Sequence, residues 1–368
     1  MIQYLIRRVL LFIPTLFAIT IISFAIMHLA PGDPAELKSG LGSESATRGS
    51  NINTEERINQ IRALWHLDQP LWFWTLFTDA KDDHGQLKPI GERLTFKWNG
   101  LHNQYVLWMN DLLHGNFGKS FQDQRPVLDK IVERIPVSLT LAVIDILLSY
   151  LIAIPVGIYS ATHPKSKGDK ITSVTLFVLY SLPTFWIATM LIVFLGGGDF
   201  LSIFPNSGLH STDYSPADPF FSRALDYLWH LVLPIFVLTY GTFAYLSRQM
   251  RGSMLEVIRQ DYIRTARAKG LSERIVVYKH ALRNSLIPII TMLASLLPAL
   301  VGGSIIVEQI FTIRGIGQLG FQALVTRDYP VVMAEFVLSS ALTLLGILAA
   351  DLMYSFVDPR IAFDRKSA

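Results

Sequence analysis

Residues 9–30 read VLLFIPTLFAITIISFAIMHLA, and this stretch contains no Asp, Glu, Lys or Arg. A helix needs about 20 mostly apolar residues to cross the roughly 30 Å of hydrocarbon in a bilayer. The stretch is longer than the apolar core of a secretory signal, which has roughly 7–15 residues, and His28-Leu29-Ala30 is a poor cleavage site. We therefore predict a retained membrane-spanning helix.

Five more apolar stretches follow, at about residues 137–160, 171–195, 228–248, 286–308 and 331–357. The whole chain is 51% hydrophobic and only 17% charged, whereas soluble domains carry about 25% charged residues. Lipid leaves unpaired backbone groups unsatisfied, and the stretches lack the alternation of barrel strands. The sequence predicts an all-α membrane protein with six transmembrane helices.

The distribution of Lys and Arg predicts the orientation, because short cytoplasmic loops are enriched in both residues. Basic residues are concentrated in the N-terminus, the loop at 163–170, the loop at 251–285 and the tail at 358–368. With six spans these four segments fall on one side, so both termini are predicted to be cytoplasmic. The loop at 196–227 is acidic by comparison, with four Asp residues and one Arg.

The segment between the first two spans, residues 31–136, is then predicted to be an extracytoplasmic cap of mixed structure. An amphipathic helix is expected to begin near Thr54, and a second one at residues 105–113. A polar, turn-rich stretch near 75–102 has the character of an insertion. Residues 1–30 form the N-terminus and first span, and residues 137–357 form a five-span core that contains the loop at 251–285.

This basic loop has a helical pattern on both sides of a glycine. Residues 260–274 read QDYIRTARAKGLSER, a segment rich in Ala, Arg and Lys that is predicted to end at Gly270, since glycine suits a helix C-cap. Ser272 is placed to begin a second helix. A helix–glycine–helix elbow suits docking into a partner's groove. An ordinary basic loop held to anionic lipid is the alternative, and composition leaves both open.

The sequence of residues 260–274, together with HALRNSLIP at 280–288, resembles the coupling loop of binding-protein-dependent ABC importers. It is most similar to the dipeptide/oligopeptide/nickel permease family. The general importer pattern is Glu-Ala-Ala, three residues, Gly, nine residues, then Ile-x-Leu-Pro. Its Glu-Ala-Ala falls on Arg264, Thr265 and Ala266, and its Gly on Gly270. This chain differs from the pattern at the Glu, the first Ala, the Ile and the Pro. Further segments resemble the peptide-permease branch, among them GNFGKS at 115–120, GSIIVE at 303–308 and RDYPV at 327–331.

The resemblance implies a type I ABC importer permease in the inner membrane of a prokaryote, forming half of a path for short peptides, nickel complexes or related small solutes. It implies four kinds of partner: a second related permease, two ABC ATPases, an extracytoplasmic solute-binding protein and membrane lipid. ATP and Mg would be bound by the ATPases, so no cofactor, metal site or enzymatic activity is expected in this chain, and no nucleic acid partner. The residues expected to contact the ATPases are Arg264, Thr265, Ala266, Gly270, Leu271, Ser272 and Glu273.

Ionisable residues inside predicted spans are candidates for the translocation path. Asp145, Glu308 and Glu335 are named on this ground, with a packing hydrogen bond as the alternative for Asp145. Glu308 and Asp351 lie near the ends of their spans, where simple hydration at the membrane interface is expected.

Other chemistries are disfavoured by the sequence. Gly118-Lys119-Ser120 is not a phosphate-binding loop, because the required first glycine falls at Leu113. There is no cysteine, and no His, Asp and Glu spacing is typical of a metal site. An ion-gradient-driven secondary transporter is the principal alternative, although no clear inverted repeat is visible. A membrane enzyme and a non-transporting scaffold are the others.

Overall fold

The computed structural model describes residues 2–29, 62, 68–77, 94–197, 200–296 and 302–357. Within these ranges the chain is mostly helical, with one two-stranded hairpin. The long helices are α1 (Ile2–Leu29), α3 (Val127–Thr162), α4 (Lys167–Ser181), α6 (Phe220–Ile258), α9 (Leu282–Leu296) and α12 (Tyr329–Val357). The shorter helices are α2 (Gln104–Leu113), α5 (Thr184–Leu195), α7 (Asp261–Ala268), the single turn α8 (Glu273–Ile275), α10 (Ile305–Ile310) and α11 (Ile316–Val325). The strands are β1 (Trp74–Phe77) and β2 (Leu94–Trp98).

Several of the helices are long and apolar enough to cross a membrane. In the described ranges α1, α3, α6 and α12 meet this test, and the pair α4 and α5 makes a fifth span if it is counted as one. Helices α3 and α6 have 36 and 39 residues. At 1.5 Å per residue, α6 is about 58 Å long and exceeds the bilayer core. The predicted stretches 137–160 and 228–248 therefore cover only part of longer helices.

The predicted third span is not one straight helix. Helices α4 and α5 are bent by 95° relative to each other, with the break at Leu182 and Pro183. Proline has no N–H to continue the helical ladder. The phenol of Tyr240 on α6 donates to the Leu182 carbonyl at 2.8 Å, so another helix satisfies an acceptor that the break releases.

The predicted fifth span, 286–308, is also different in the structure. Helix α9 ends at Leu296, residues 297–301 lie outside the described ranges, and α10 begins at Ile305. The 15 residues of α9 measure about 22 Å, which is short of the bilayer core. The described residues thus show multiple spans but not the full set of six.

The first of two compact units comprises the described parts of Met1–Phe12, Val132–Phe321 and Ser339–Ala368. It contains two apolar cores. One brings together residues of α3, α5, α6 and α10, among them Leu141, Ala188, Leu233, Tyr240 and Val307. The other lies where α3 and α6 meet the basic loop, and includes Ile158, Met250, Met254, Ile263, Val277 and Ile289.

The second unit comprises the described parts of Ile13–Ile131 and Gln322–Leu338. Its core is aromatic: Phe24 and Tyr105 are buried, and Trp72 and Trp108 pack around them. Helix α2 confirms the amphipathic helix predicted at 105–113, and the side chain of Asn103 caps it by accepting from the Val106 N–H at 3.0 Å.

The stretch near 75–102, predicted to be a polar, turn-rich insertion, contains all of β2 and most of β1. Strands β1 and β2 pair antiparallel, with Trp74 opposite Trp98. Asn99, which follows β2, links the two strands: its side-chain amide donates to the Trp72 carbonyl at 3.0 Å and to the Thr75 hydroxyl at 2.8 Å. Residues 78–93, the helix predicted from Thr54, and the tail at 358–368 lie outside the described ranges.

Candidate functional site

The basic loop folds into the predicted elbow. Helix α7 ends at Ala268, and Gly270 has a φ of +77°. The Gly270 N–H donates to the Arg267 carbonyl at 2.9 Å and the Leu271 N–H to the Ala266 carbonyl at 3.4 Å. This pair of bonds is the Schellman motif, which favours glycine because a left-handed residue follows the helix. No atom lies within 4 Å of a Cβ placed on Gly270, so the requirement for glycine is conformational rather than steric.

The second arm of the elbow starts at Ser272 and contains a widened turn. Ser272 occupies the N-cap position of α8, but its side chain makes no capping hydrogen bond, in contrast to the role expected of it. Residues Val276–Ala281 form a π-helical segment, after which α9 begins at Leu282. Single π-helical turns are frequent at functional sites.

The elbow is anchored on one side and exposed on the other. Ile263 and Ala266 lie in the second core together with Val276, Val277 and Met250. Among the residues predicted to contact an ATPase, Ala266 is therefore buried in the chain's own core. The remaining six residues form the exposed face: Arg264, Thr265, Gly270, Leu271, Ser272 and Glu273.

Three apolar side chains in or just before the second arm are exposed, and the sequence analysis named only Leu271 among them. Leu271, Ile275 and Tyr278 are 38%, 42% and 59% exposed. Leu271 precedes the Ser272 N-cap, Ile275 ends the single turn α8, and Tyr278 lies in the π-helical segment. Their helical spacing after Gly270 was the available signal for Ile275 and Tyr278. Exposed apolar residues surrounded by polar ones are typical of protein interfaces.

An ion pair closes the elbow across Gly270. Arg267 donates from Nη2 to Oε1 of Glu273 at 2.6 Å and from Nε to Oε2 at 3.0 Å. This contact holds the pKa of the Glu273 carboxyl below its ordinary value and raises the pKa of Arg267. Both side chains are exposed, so solvent screening limits the pair to about 0–1 kcal/mol of stability.

A buried ion pair ties the loop at 163–170 to the start of the basic loop. Arg251 on α6 binds both carboxylate oxygens of Asp169, with distances of 2.9 and 3.0 Å. The Lys165 N–H donates to the same carboxylate at 2.9 Å, and the Ser160 hydroxyl donates to it as well. Asp169 was missed by the sequence analysis because its partner is 82 residues away.

The three predicted path residues have different surroundings. Asp145 is half-buried on α3 and accepts from the Ser149 hydroxyl at 3.0 Å. Glu335 is half-buried on α12. Glu308 is 0% exposed, so the hydration expected for it at the membrane interface is wrong. The side chain of Asp351 lies outside the described part of the chain.

Glu308 is held in a cage of hydrogen-bond donors. Its carboxylate accepts from the Ser138 hydroxyl at 2.8 Å, the Ser304 N–H at 3.1 Å and the Gln318 N–H at 2.9 Å. A Cβ on Gly303 or on Gly315 would come within 2.5 Å of its carboxyl group. The two glycines therefore provide the space that this buried carboxylate needs.

The Gly118-Lys119-Ser120 turn has a structural role in the second unit. Ser120 is buried and donates to Oδ2 of Asp328 at 2.5 Å, while the Phe121 N–H donates to Oδ1 at 2.9 Å. The segments at 115–120 and 327–331 both resemble the peptide-permease branch. They are far apart in sequence but are in direct contact in the structure.

In the residues that the structure describes, no three His, Asp or Glu side chains are placed to hold a metal ion.

Comparisons with known proteins give a consistent result. Residues 153–363 match the family model described as "Binding-protein-dependent transport system inner membrane component". The chain is 37% identical over 364 residues to the oligopeptide transport system permease protein AppB of Bacillus subtilis (strain 168), covering 99% of this chain and 100% of that protein. It is 33% identical over 373 residues to the dipeptide transport system permease protein DppB of Alkalihalophilus pseudofirmus, covering 99% and 100%.

A third relative, the peptidoglycan transport system permease protein YejB of Agrobacterium fabrum, is 34% identical and covers 99% of each chain. Among solved structures, a chain of the inward-facing MetNI methionine ABC transporter aligns with a TM-score of 0.49 and 22% identity, covering 63% of this chain and 97% of that one. The extent of the family match and the near-complete coverage of its relatives lead to one conclusion. The chain belongs to the family of inner-membrane components of binding-protein-dependent transport systems, and is a multi-pass protein of the inner membrane.

Proposed function

We propose that this chain is one of two related permease subunits of an ATP-binding-cassette importer for short peptides or similar small solutes. The relatives named for oligopeptide and dipeptide transport support this substrate class. Two cytoplasmic ATPases that bind ATP and Mg, and an extracytoplasmic solute-binding protein, complete the assembly. Family membership favours this function over an ion-gradient-driven transporter.

The proposed topology has six spans, with both termini and the elbow in the cytoplasm and residues 31–136 outside. The charge distribution supports it, since the loops at 163–170 and 251–285 are basic and the loop at 196–227 is acidic. In this topology the fifth span comes from the α9 to α10 region. Because the sequence has no cysteine, single introduced cysteines can report the topology. Ser272→Cys should react with a thiol reagent applied from the cytoplasmic side, and Ser215→Cys with one applied from the outer side.

The elbow is the observation that carries the proposal. Its buried side is fixed to α3 and α6, and its exposed side presents Leu271, Ile275 and Tyr278 to a partner. When ATP binding closes the ATPases, a rigidly anchored elbow transmits the movement to the helices. The partner's ligand thereby biases which side of the permease is open, which is coupling between two states.

The half-buried acids Asp145 and Glu335 are proposed to face the path or the second permease. Glu308 is assigned a different task. Its donor cage joins α3 to the segments on either side of α10, so it fixes the shape of this region of the permease rather than contacting solute.

Reconstitution tests the function with a matched pair of variants at one position. Purified permeases, ATPases and binding protein in liposomes should take up peptide only when ATP is supplied. Gly270→Trp places a large side chain on the docking face and should abolish ATP-driven uptake and ATPase co-purification. Gly270→Asn tolerates the left-handed conformation and should retain most of both. Uptake without any ATPase subunit, or full coupling in Gly270→Trp, would overturn the proposal.

A further inference from the structure

A cavity of about 450 Å³ lies between α4 and α6, in the first unit. This volume is in the range of small-molecule sites, roughly 300–1,000 Å³. It is lined by Ser173, Leu176, Phe177, Tyr180, Ala244, Tyr245, Arg248, Gln249 and Arg251.

The cavity is polar at one end and aromatic at the other. On α4 the lining residues are spaced i, i+3, i+4 and i+7 from Ser173, so they share one face. The rings of Tyr180 and Tyr245 stack with centroids 6.2 Å apart. Toward the N-terminus of α4, the two helices are joined by the ion pair of Asp169 and Arg251. Since the two helices run antiparallel between these contacts, Arg248 lies between the aromatic end and the ion pair.

The polar end has a positive charge that is not compensated within the described part of the chain. The charge of Arg251 is matched by Asp169. Arg248 is exposed and makes no ion pair or hydrogen bond to the described residues. The side chains of Ser173, Gln249, Tyr180 and Tyr245 also have donors without a described partner. The chemistry of the lining thus fits an anion with several hydrogen-bond acceptors.

We infer that this cavity binds the phosphate headgroup of an anionic phospholipid from the inner leaflet. Arg248 binds the phosphate, Ser173 and Gln249 supply further donors, and an acyl chain lies along Phe177 and the Tyr180–Tyr245 pair. The inference rests on the proposed topology, which places the Arg251 end of α6 at the cytoplasmic surface.

Two features favour a lipid over a free anion or a protein. In the proposed topology the lining changes from cationic near the cytoplasmic surface to aromatic deeper in the membrane, in the same order as the headgroup and chain of a lipid. Phe177 is 62% exposed and Tyr180 58% exposed, so the aromatic end is open to a chain entering from the side. Basic pockets between transmembrane helices on the cytoplasmic side are known to take anionic headgroups.

The test is native mass spectrometry of the full-length chain after exposure to vesicles of phosphatidylglycerol in phosphatidylcholine. Arg248→Gln should retain about fivefold less phosphatidylglycerol, the effect expected of one basic residue near the membrane surface. Arg248→Lys should keep much of the retention. Arg259→Gln, which removes the same charge from the exposed end of α6, should retain as much lipid as the parent chain. Equal retention by the parent chain and Arg248→Gln would overturn the inference.

Two further experiments distinguish a phospholipid in the cavity from a small anion and from the second permease. Glycerol phosphate, which has no acyl chain, should bind far more weakly than dioctanoyl phosphatidylglycerol, and equal binding would make this a site for small anions instead. In the assembled transporter, Tyr245→Cys should react with a membrane-dissolved maleimide and be protected by phosphatidylglycerol. Protection by assembly alone would show that the second permease covers the cavity. Retention and labelling do not depend on ATP-driven uptake, so their failure leaves the importer function standing.

Discussion

The guanidinium of Arg267 forms two hydrogen bonds with the carboxylate of Glu273, at 2.6 and 3.0 Å, across the glycine that separates the two arms of the elbow. The two residues are six positions apart, so the pair fixes the angle between α7 and the second arm. Both side chains are exposed, and the pair contributes little to global stability. We expect it instead to restrict the orientation of the exposed face that is proposed to dock onto the ATPases.

Charge reversal separates this intramolecular role from direct contact with a partner. Glu273→Arg should leave membrane insertion intact and lower ATP-driven uptake, because two like charges then face each other across Gly270. The swapped double variant Arg267→Glu with Glu273→Arg restores the pair and should recover most of the uptake. Recovery is measured in reconstituted liposomes. If the swap stays as inactive as Glu273→Arg, Glu273 acts through a partner instead.

The same pair predicts how the elbow responds to pH. The pKa of Glu273 is lowered from 4.5 by Arg267, so the stabilisation is fully present above that ordinary value and is lost as the pH falls through the lowered one. Hydrogen exchange at the Gly270 and Leu271 amides, corrected for intrinsic pH dependence, should therefore be unchanged from neutral pH down to about pH 5. A transition near pH 6 would contradict this assignment.

Removing the carboxylate of Asp169 should destabilise the first unit. Asp169→Asn leaves Arg251 without its counter-charge in a largely buried position, which costs about 1.5–3 kcal/mol by the usual value of hydrogen bonds to charged groups. Thermal unfolding in detergent should show a lower midpoint. Asp213→Asn is the control, since Asp213 is exposed and its substitution should shift nothing. Equal midpoints for the two variants would show that the ion pair is dispensable.

Two glycines provide a test of the Glu308 cage. A Cβ on Gly315 would lie 2.4 Å from the Glu308 carboxyl, whereas one on Gly302 meets no atom within 4 Å. Gly315→Ala should therefore cost about 1–3 kcal/mol through overpacking, and Gly302→Ala should cost much less. Unfolding midpoints and yields of folded protein measure the difference. Similar behaviour of the two variants would show that the cage can relax.

The hairpin predicts which part of the 75–102 stretch can be removed. Deleting 79–92 and joining the ends with a short turn keeps β1, β2 and Asn99, so folding and insertion should be preserved. Deleting 78–100 also removes β2 and Asn99, whose bonds reach Trp72 and Thr75, and should expose the aromatic core to protease. Protease resistance of both deletions would show that the hairpin does not support that core.

Local sequence signals predicted much of the fold. Apolar length was enough to locate the apolar parts of α1, α3, α6 and α12, because the bilayer sets the length that a helix needs. Gly270 was predictable as the end of α7, since only a left-handed residue completes the Schellman motif cheaply. The spacing of Ile263 and Ala266 also carried the information that Ala266 is buried, although the resemblance alone grouped it with the contact residues.

Features that depend on distant partners were not predictable. At the sharp bend at Pro183, the phenol of Tyr240 satisfies the Leu182 carbonyl, and nothing in the sequence near Pro183 indicates that contact. Glu308 was expected at a wet interface because its position in the stretch was the only guide. Its cage depends on backbone N–H groups at Ser304 and Gln318 and on the hydroxyl of Ser138, 170 residues away.

The pairing of Asp169 with Arg251 has a consequence for how the chain is made. Synthesis runs at about 5–20 residues per second, so the 82 positions between the two residues separate their appearance by about 4–16 seconds. During that delay Arg251 has not yet been synthesised, and Asp169 offers little opposition to the basic residues that orient the nascent helices, since acidic residues have little influence on orientation. In the proposed topology the Arg251 guanidinium contributes to the orientation of α6. Once α6 is inserted, Asp169 compensates its charge. In that topology one arginine serves first during biogenesis, as a topological signal, and afterwards in the mature protein, as the ion-pair partner that connects α6 to α4.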